Sequence, residues 1–488
     1  MEGFAVYPQS KVELDGTTYS LTRRRADGQK VLLVLGDAAA GFAGQQQGDV
    51  LVCPLTAENA TALRGRLAWL SPQPLGLQTS AGCGDRLGLA TPGHVQAARK
   101  YGTIAPIFAQ QSVRENARTG RTPQQVMDEA MWGLFQEGWR EIWGSDADHL
   151  KTPEDIDSFA AAGFTLYTVD PGDHVDGDAH TAPPVEVDAK LQKLPWDALE
   201  DTLDDMEQRY LDRTFDLGDL AVTLSREALH RAAAKYGRAV AHTARMYRHL
   251  VDNLPESART KGSRGLSGRS GFELEVSVDE TETPTSPEEH FYVASELKRL
   301  GVRWVSLAPR YVGRFEKGVD YIGDLDVFKT ELAKHAAIAK AFGPYKLSIH
   351  SGSDKFSIYS LIAKLTDGLV HLKTAGTSYL EALRTIAQVD TAFFREILTL
   401  ARERYETDRA TYHVSAELTK VPPQEDIWDT DLPGLLDQFD ARQVLHVTFG
   451  SVLDRFGERL LATLDAHEEV YARMLETHFE KHLSPFAR

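Results

Sequence analysis

The segment Ser348-Ile-His-Ser-Gly-Ser-Asp-Lys355 gathers a histidine, a carboxylate, a lysine and three serines around one glycine. The run Lys346-Leu-Ser-Ile ahead of it reads as a strand, so His350 is expected at a strand end, beside Ser351 and Asp354. The run Val370-His-Leu-Lys373 sets His371 and Lys373 on one strand face, two residues apart. Neutral imidazole suits Zn, Mn, Ni or Co, and a carboxylate commonly completes such a site. His350, His371 and Asp170 are therefore the expected ligands of a divalent cation. In Phe272-Glu-Leu-Glu-Val-Ser, Glu273 and Glu275 alternate with apolar residues and form a same-face carboxylate pair. Such a pair cannot be buried bare; it needs cations or a metal beside it. A salt-bridge network inside the protein answers that need as well as a metal does, and a single strand histidine is commonly a hydrogen-bonded core residue.

The loop Ser351-Gly-Ser-Asp-Lys355 exposes backbone N–H groups through its small residues, and Lys355 adds positive charge, which suits an anion or a polyol. Arg310 and Lys317 are further candidates for holding a carboxylate. No Walker spacing and no Gly-x-Ser-x-Gly elbow occurs, so neither a P-loop nor a serine hydrolase is expected.

Short apolar runs must position these groups. They fall at 31–35, 67–71, 77–82, 104–109, 141–145, 165–169, 272–278, 302–308, 346–350, 369–373 and 444–449, separated mostly by helical patterns such as 123–138, 328–342 and 378–387. Strands alternating with helices imply βαβ units and a largely parallel sheet. Eight or nine such units over 75–450 fit an α/β fold, a (β/α)8 TIM-like barrel, with 77–82 or 104–109 as its first strand. No G-x-G-x-x-G turn follows the first strand, which speaks against a dinucleotide fold. The expected organisation is an N-terminal α/β extension over 1–74, a first part of the barrel over 75–175, an acidic helical insertion over 176–271, and the rest of the barrel with C-terminal helices over 272–488. The insertion suits a lid, an oligomer contact or a plain surface excursion, and its Gly-, Ser- and Arg-rich stretch 261–269 reads as a mobile loop.

Barrel enzymes place their chemistry at the C-terminal ends of the strands. Nearly every run here leads into polar residues: Asp85 and Arg86, Gln110, Asp146 to His149, Asp170 and Asp173, Asp279, Arg310, Ser351 to Lys355, and Lys373; the last run holds His446. Asp85, Arg86, Gln110, Asp146, Asp279, Arg310, Lys317, Ser351, Asp354, Lys355 and Lys373 are the expected substrate contacts. Any one such cluster is an ordinary polar loop, but their convergence on one face is not ordinary.

The 488 residues are 42% hydrophobic and 26% charged, with a formal net charge of −17. That composition suits a globular protein with a sizeable core. The acidic balance argues against nucleic acid and anionic membranes, though a few local cations can still admit a small anion. Cys53 and Cys83 form no C-x-x-C pair, and two free thiols in a reducing compartment are expected. With no signal-peptide pattern and no long apolar run, a cytoplasmic protein is expected.

Phe272 to Thr281, Phe315-Glu-Lys-Gly-Val-Asp-Tyr-Ile-Gly-Asp324, Lys346 to Tyr359, His371 to Arg384 and Val444 to Leu453 resemble the tagaturonate epimerase family. The resemblance spans about residues 75–480. It implies a divalent-metal enzyme that interconverts tagaturonate and fructuronate, with some relatives acting on fructose and tagatose at C4. The inverted carbon is not next to the ketone, so simple deprotonation there fails, and retro-aldol cleavage followed by re-addition is the expected route. Glu275 or Asp173 is the expected base. A metal-dependent aldose–ketose isomerase and a non-catalytic sugar-binding protein share most of these features, and a homo-oligomer is compatible with all three readings.

Overall fold

In a computed structural model, which describes residues 3–254 and 271–487, eight parallel strands close into a barrel. They are β1 (Ser80–Cys83), β2 (Ala105–Ser112), β3 (Gly144–Leu150), β4 (Leu166–Val169), β5 (Glu273–Ser277), β6 (Ser306–Ala308), β7 (Lys346–Ile349) and β8 (Val370–Thr374). Each pairs with its sequence neighbours, and β8 closes on β1 through His371 opposite Ser80. The (β/α)8 expectation holds, with 77–82 as the first strand and 104–109 as the second.

The strands read as they do because both faces are covered. Residues such as Leu274, Val276, Leu347, Ile349 and Leu372 point outward into a fully buried layer beneath the helices. Between them the inward positions are polar, and those carry the site. The surrounding helices include Thr91–Lys100, Pro123–Glu137, Pro153–Ala161, Pro287–Arg299, Leu325–Ala341, Phe356–Leu365 and Thr377–Val389. Capping boxes at Thr122, Thr152 and Ser286 satisfy orphan N–H groups where three of them start.

Four details differ from the sequence expectations. Residues 4–53 build a six-stranded antiparallel sheet, and 67–71 is a 3-10 turn (Ala68–Leu70) rather than a strand. Arg23 fastens this sheet to the C-terminal helix Glu468–Leu483 and its approach, with ion pairs to Asp465 at 2.7 Å and Glu468 at 2.9 Å. Of the segment between β4 and β5, the long helix Arg226–Asn253 packs against Pro153–Ala161 and Pro287–Arg299, so it takes the barrel's own β4–β5 helix position. The short helices Pro184–Leu191, Trp196–Leu199 and Leu203–Tyr210 and a small hairpin precede it. Finally, 444–449 lies in the helix Phe439–Val447 and its exit, not in a strand: Gln438 caps that helix, and Val444, Leu445 and Val447 are buried by packing outside the barrel. The stretch 261–269 lies outside the described residues. Both cysteines are buried and free. Among the described residues, no helix is long and apolar enough to cross a membrane.

Candidate active site

The barrel interior is a stack of charged layers. Lowest, Glu273 on β5 accepts the backbone N–H groups of Leu75 and Gly76. Lys346 on β7 donates to Ser80 Oγ at 2.9 Å, and Ser80 lies 3.0 Å from His371 Nδ1. Ser80 thus links the Lys346 ammonium to the His371 ring, whose Nε2 lies 3.8 Å from Asp146.

One layer up, Lys373 Nζ sits among three carboxylates: Asp148 at 2.6 Å, Asp146 at 2.9 Å and Glu275 at 2.9 Å, with Thr168 Oγ1 at 2.6 Å. Burial works against the ammonium, but these acids, Asp146 foremost, hold its pKa well above the usual lysine value. The same pairing, against the cost of burial, holds Glu275 well below the ordinary carboxylate range.

The mouth follows at the strand ends. His350, immediately after β7, lies between two carboxylates, with Nε2 2.7 Å from Glu275 and Nδ1 3.2 Å from Asp279. Burial opposes its charge, but Asp279 and Glu275 overcome this and push its pKa up to about 10. His149 lies 3.0 Å from Asp170, and its ring centroid is 5.0 Å from that of His350. Burial opposes its charge too, yet Asp148 and Asp170 raise its pKa to about 9. Donor atoms of Asp148, His149 and His350 all lie within 4.8 Å of one another, and those of His149, Asp170 and Glu280 form an adjoining group.

His149 owes its place to a bulge. Leu166 pairs with Asp146 and Tyr167 with Ala147, but Val169 pairs with Leu150, so β3 carries one extra residue there. His149 takes φ 55°, and the kink brings its side chain to the mouth along with Asp148. Strand parity alone sends consecutive residues to opposite faces, so the sequence pattern does not show that these two meet. The mouth opens into a cavity of about 630 Å³ that Arg310, Tyr311, Glu280 and Lys317 help to line. A deeper recess of about 30 Å³ lies between Gln110, Asp148, Lys317, His350, Lys373 and His446. A Cβ on Gly82 would overlap the Gln110 amide, so glycine there makes room for that side chain.

The expected site residues divide. Glu275, Asp279, His350, Asp170, Asp146, Lys373, Gln110, Ser351 and Lys317 converge on the mouth or directly beneath it. Arg310 stands on the outer cavity wall. Arg86 is buried behind the mouth, held by Glu115 at 2.7 Å and stacked on Phe449 at 3.9 Å. His371 lies a layer too deep to join His350, and its Nδ1 is already taken by Ser80. Asp173 is corrected outright: the turn Gly172–His174 points it outward, its side chain is 71% exposed, and it pairs with Lys151 at 2.9 Å. Asp85 is corrected as well, since its carboxylate accepts the N–H groups of Leu87, Gly88 and Ala90 and so shapes its own loop. Lys355 gives its three N–H bonds to the carbonyls of Glu316, Val319 and Ser353 and has none left for substrate. Asp354 faces the C-terminal helix, 2.7 Å from His478 and 3.0 Å from Arg442. That guanidinium already supplies the positive charge a cation would bring to Asp354, His478 and His482. Of the loop read as an anion grip, only Ser351 touches the cavity group Lys317, accepting from it at 2.8 Å.

Two imidazoles with a carboxylate at the C-terminal mouth of a parallel barrel, above a lattice of buried ion pairs, define a (β/α)8-barrel enzyme whose site is built from strand ends. A family model described as tagaturonate epimerase matches residues 7–486. A Thermotoga maritima protein named tagaturonate/fructuronate epimerase is 43% identical over 491 residues, covering 99% of this chain and 96% of that protein. The crystal structure of fructuronate-tagaturonate epimerase UxaE from Cohnella laeviribosi matches with a TM-score of 0.91 at 40% identity, covering 99% of this chain and 97% of that one. A second structure of the same protein, with one glycerol, matches with the same TM-score. The chain belongs to the tagaturonate epimerase family and is an isomerase of the epimerase class.

Proposed function

We propose that this protein interconverts tagaturonate and fructuronate by breaking and re-forming the C3–C4 bond, in the cytoplasm, with one divalent cation held by Asp148, His149 and His350. The observation that carries the metal is the meeting of those three donors within 4.8 Å of one another. Two imidazoles and a carboxylate suit Zn, Mn, Ni or Co. When bound, the cation supplies Lewis-acid polarisation of the ketone and stabilises charge on its oxygen. His149 and His350 must shed ring protons to bind it, so affinity falls as pH falls.

The chain's residues supply the rest. Glu275 accepts from His350 Nε2, fixing that ring's orientation, and Lys373 holds Glu275 in place. This makes Glu275 a positioning group rather than the base expected from sequence. Two acids at the mouth are driven apart: burial raises the pKa of Glu280, while His350, against the same effect of burial, depresses Asp279. Glu280 is thus poised nearer neutrality, and it lines the outer cavity. It takes the proton of the C4 hydroxyl; the C3–C4 electrons pass to the C2 carbonyl, leaving an enediolate fragment and an aldehyde at C4. The aldehyde turns, the bond re-forms on its other face, and Glu280 returns the proton. Neutral ketohexoses, lacking the carboxylate, are expected as poorer substrates for C4 inversion.

The deciding assay incubates metal-loaded protein with tagaturonate, fructuronate, fructose and tagatose and resolves the products by chromatography. Interconversion of the two uronates is expected, lost with EDTA and restored by Mn, Ni or Zn. Full turnover in a verified metal-free preparation would sink the metal, and absence of isotope crossover with added aldehyde would count against C–C cleavage. Solvent deuterium entering C1 or C2 would mark an aldose–ketose isomerase instead.

A further inference from the structure

The charges around the mouth are zoned. Asp148, Asp170, Asp279 and Glu280 gather around His149 and His350. Lys317 stands at the same mouth with the Arg86–Glu115 pair behind it; burial opposes its charge and Glu115 supports it, while Arg114 reaches across to Glu280 at 3.7 Å. Lys317 lines both the outer cavity and the deep recess, as does Ser351. Its Nζ makes one hydrogen bond, to Ser351 Oγ, and among the described residues no carboxylate lies within ion-pair distance of it. A partly buried ammonium with donors to spare suits an anion.

Three features around Lys317 point the same way. Arg86 is 3% exposed, and its Nη1 is buried without a hydrogen-bond partner. Ala375 and Gly376 line the recess and lead into the helix Thr377–Val389, which has no side-chain cap, so its positive N-terminal end faces the same space. His446 enters the recess as a neutral ring: burial and nearby cations depress its pKa, and its Nδ1 is buried and unpartnered. A Cβ on Gly376 would overlap that ring.

We propose that Lys317, backed by Arg86 and the N-terminal end of the helix Thr377–Val389, is the seat of the substrate's carboxylate, and that it selects keto-uronates over neutral ketohexoses. This rests on the uronate reading of the function. A keto-uronate reaching from the imidazoles to Lys317 would put its ketone end on the acidic, cation-holding side and its carboxylate on the basic side. The recess has room for a carboxylate or about two water molecules, so the sugar chain lies in the outer cavity.

The test compares Lys317→Gln and Lys317→Arg with the native enzyme, using two unreactive probes of equal length, D-gluconate and D-sorbitol. Losing one partner of a desolvated charge pair costs on the order of 30- to 5,000-fold in binding. Lys317→Gln is expected to weaken gluconate by that factor and sorbitol by less than about 5-fold, with Lys317→Arg recovering part of the loss. The KM for the uronate rises while kcat changes far less, because the contact is made equally in ground and transition states. Equal weakening of both probes, or no weakening of gluconate, overturns the assignment. Failure of the native enzyme to epimerise any uronate would overturn the functional reading instead, and the gluconate–sorbitol comparison would still report on the seat.

Discussion

Lys373→Met tests the charge lattice on which the site stands. The ammonium is 3% exposed and touches Asp146, Asp148 and Glu275 at 2.9, 2.6 and 2.9 Å. Its removal leaves three carboxylates facing one another in a buried space, with only the His350 and His149 rings as neighbouring positive charge. Breaking a buried pair from one side costs about 3–5 kcal/mol, and the crowding of three acids puts this variant at the upper end or beyond. At about 2.1 cal/mol/K per residue, unfolding 488 residues carries an entropy near 1 kcal/mol/K, so the melting temperature should fall by about 3–5 °C. The assay is thermal unfolding of metal-free protein at pH 7, followed by circular dichroism. Thr168→Val is the control: it removes a neutral hydroxyl that also touches Lys373 and Asp146, worth about 1 kcal/mol and so about 1 °C. If Lys373→Met melts within 1 °C of the native protein, the three acids are not relying on that ammonium. The lattice would then be a set of independent contacts.

Other substitutions probe single contacts. Gly376→Ala should push the His446 ring from the recess and cost about 1–3 kcal/mol, with activity reduced. Adding His446→Ala should restore much of the stability, and additive losses in that double variant would refute the steric account. Asp173→Asn should keep epimerase kcat/KM within about 2-fold, since exposed charges of this kind contribute little; a large loss would return Asp173 to the mechanism. His94 and His335 are fully buried, and that burial chiefly lowers the pKa of each to about 4. They stay neutral in the fold while the unfolded chain takes up protons below about 6.5, so stability falls with pH between 6.5 and 4. The slope is about 1.4 kcal/mol per pH unit for each. These two alone should lower the melting temperature in calorimetry by about 2–3 °C per unit in that window, with His242, His290, His446 and His482, also depressed by burial, adding to the fall; no decline between pH 6.5 and 5 would show these sites accept protons in the fold.

The barrel was legible because its strands obey a simple rule, apolar outward and polar inward, between helices of ordinary length. What misled was local resemblance without tertiary context. Val444-Leu-His-Val-Thr-Phe449 has β-branched and aromatic residues in strand-like number, yet its apolar side chains are buried by helix packing, and propensity yields to packing. Asp354 and Lys355 look like an anion grip because they follow a strand and two small residues. Their partners lie far along the chain, Asp354 with His478 and Lys355 with the carbonyls of Glu316 and Val319, and no local pattern shows such distant neighbours. His149 stands in a visible strand-end cluster, but its meeting with Asp148 on one face depends on a one-residue bulge that periodicity cannot reveal. His371 was visible as an inward-facing histidine, but not the depth at which it sits.

Ordinary barrels of this class fill their interior with Val, Ile and Leu. This one carries a line of charge instead, from Glu273 and Lys346 through Ser80, His371 and Asp146 to Lys373, Glu275 and His350. Hydrophobic residues of similar volume commonly match or exceed the stability of such buried pairs, so stability alone does not account for the arrangement. Its effect at the mouth does. Lys373 keeps Asp148 and Glu275 ionised where solvent cannot, and Glu275 in turn fixes the His350 ring. The acids needed to hold a cation thus remain anionic in a closed space, on a protein whose net charge is already −17. The same surplus of negative charge would repel a sugar acid. Admitting one requires a cation at the mouth that no acid already holds, and Lys317, whose Nζ bonds only Ser351 Oγ among the described residues, meets that requirement.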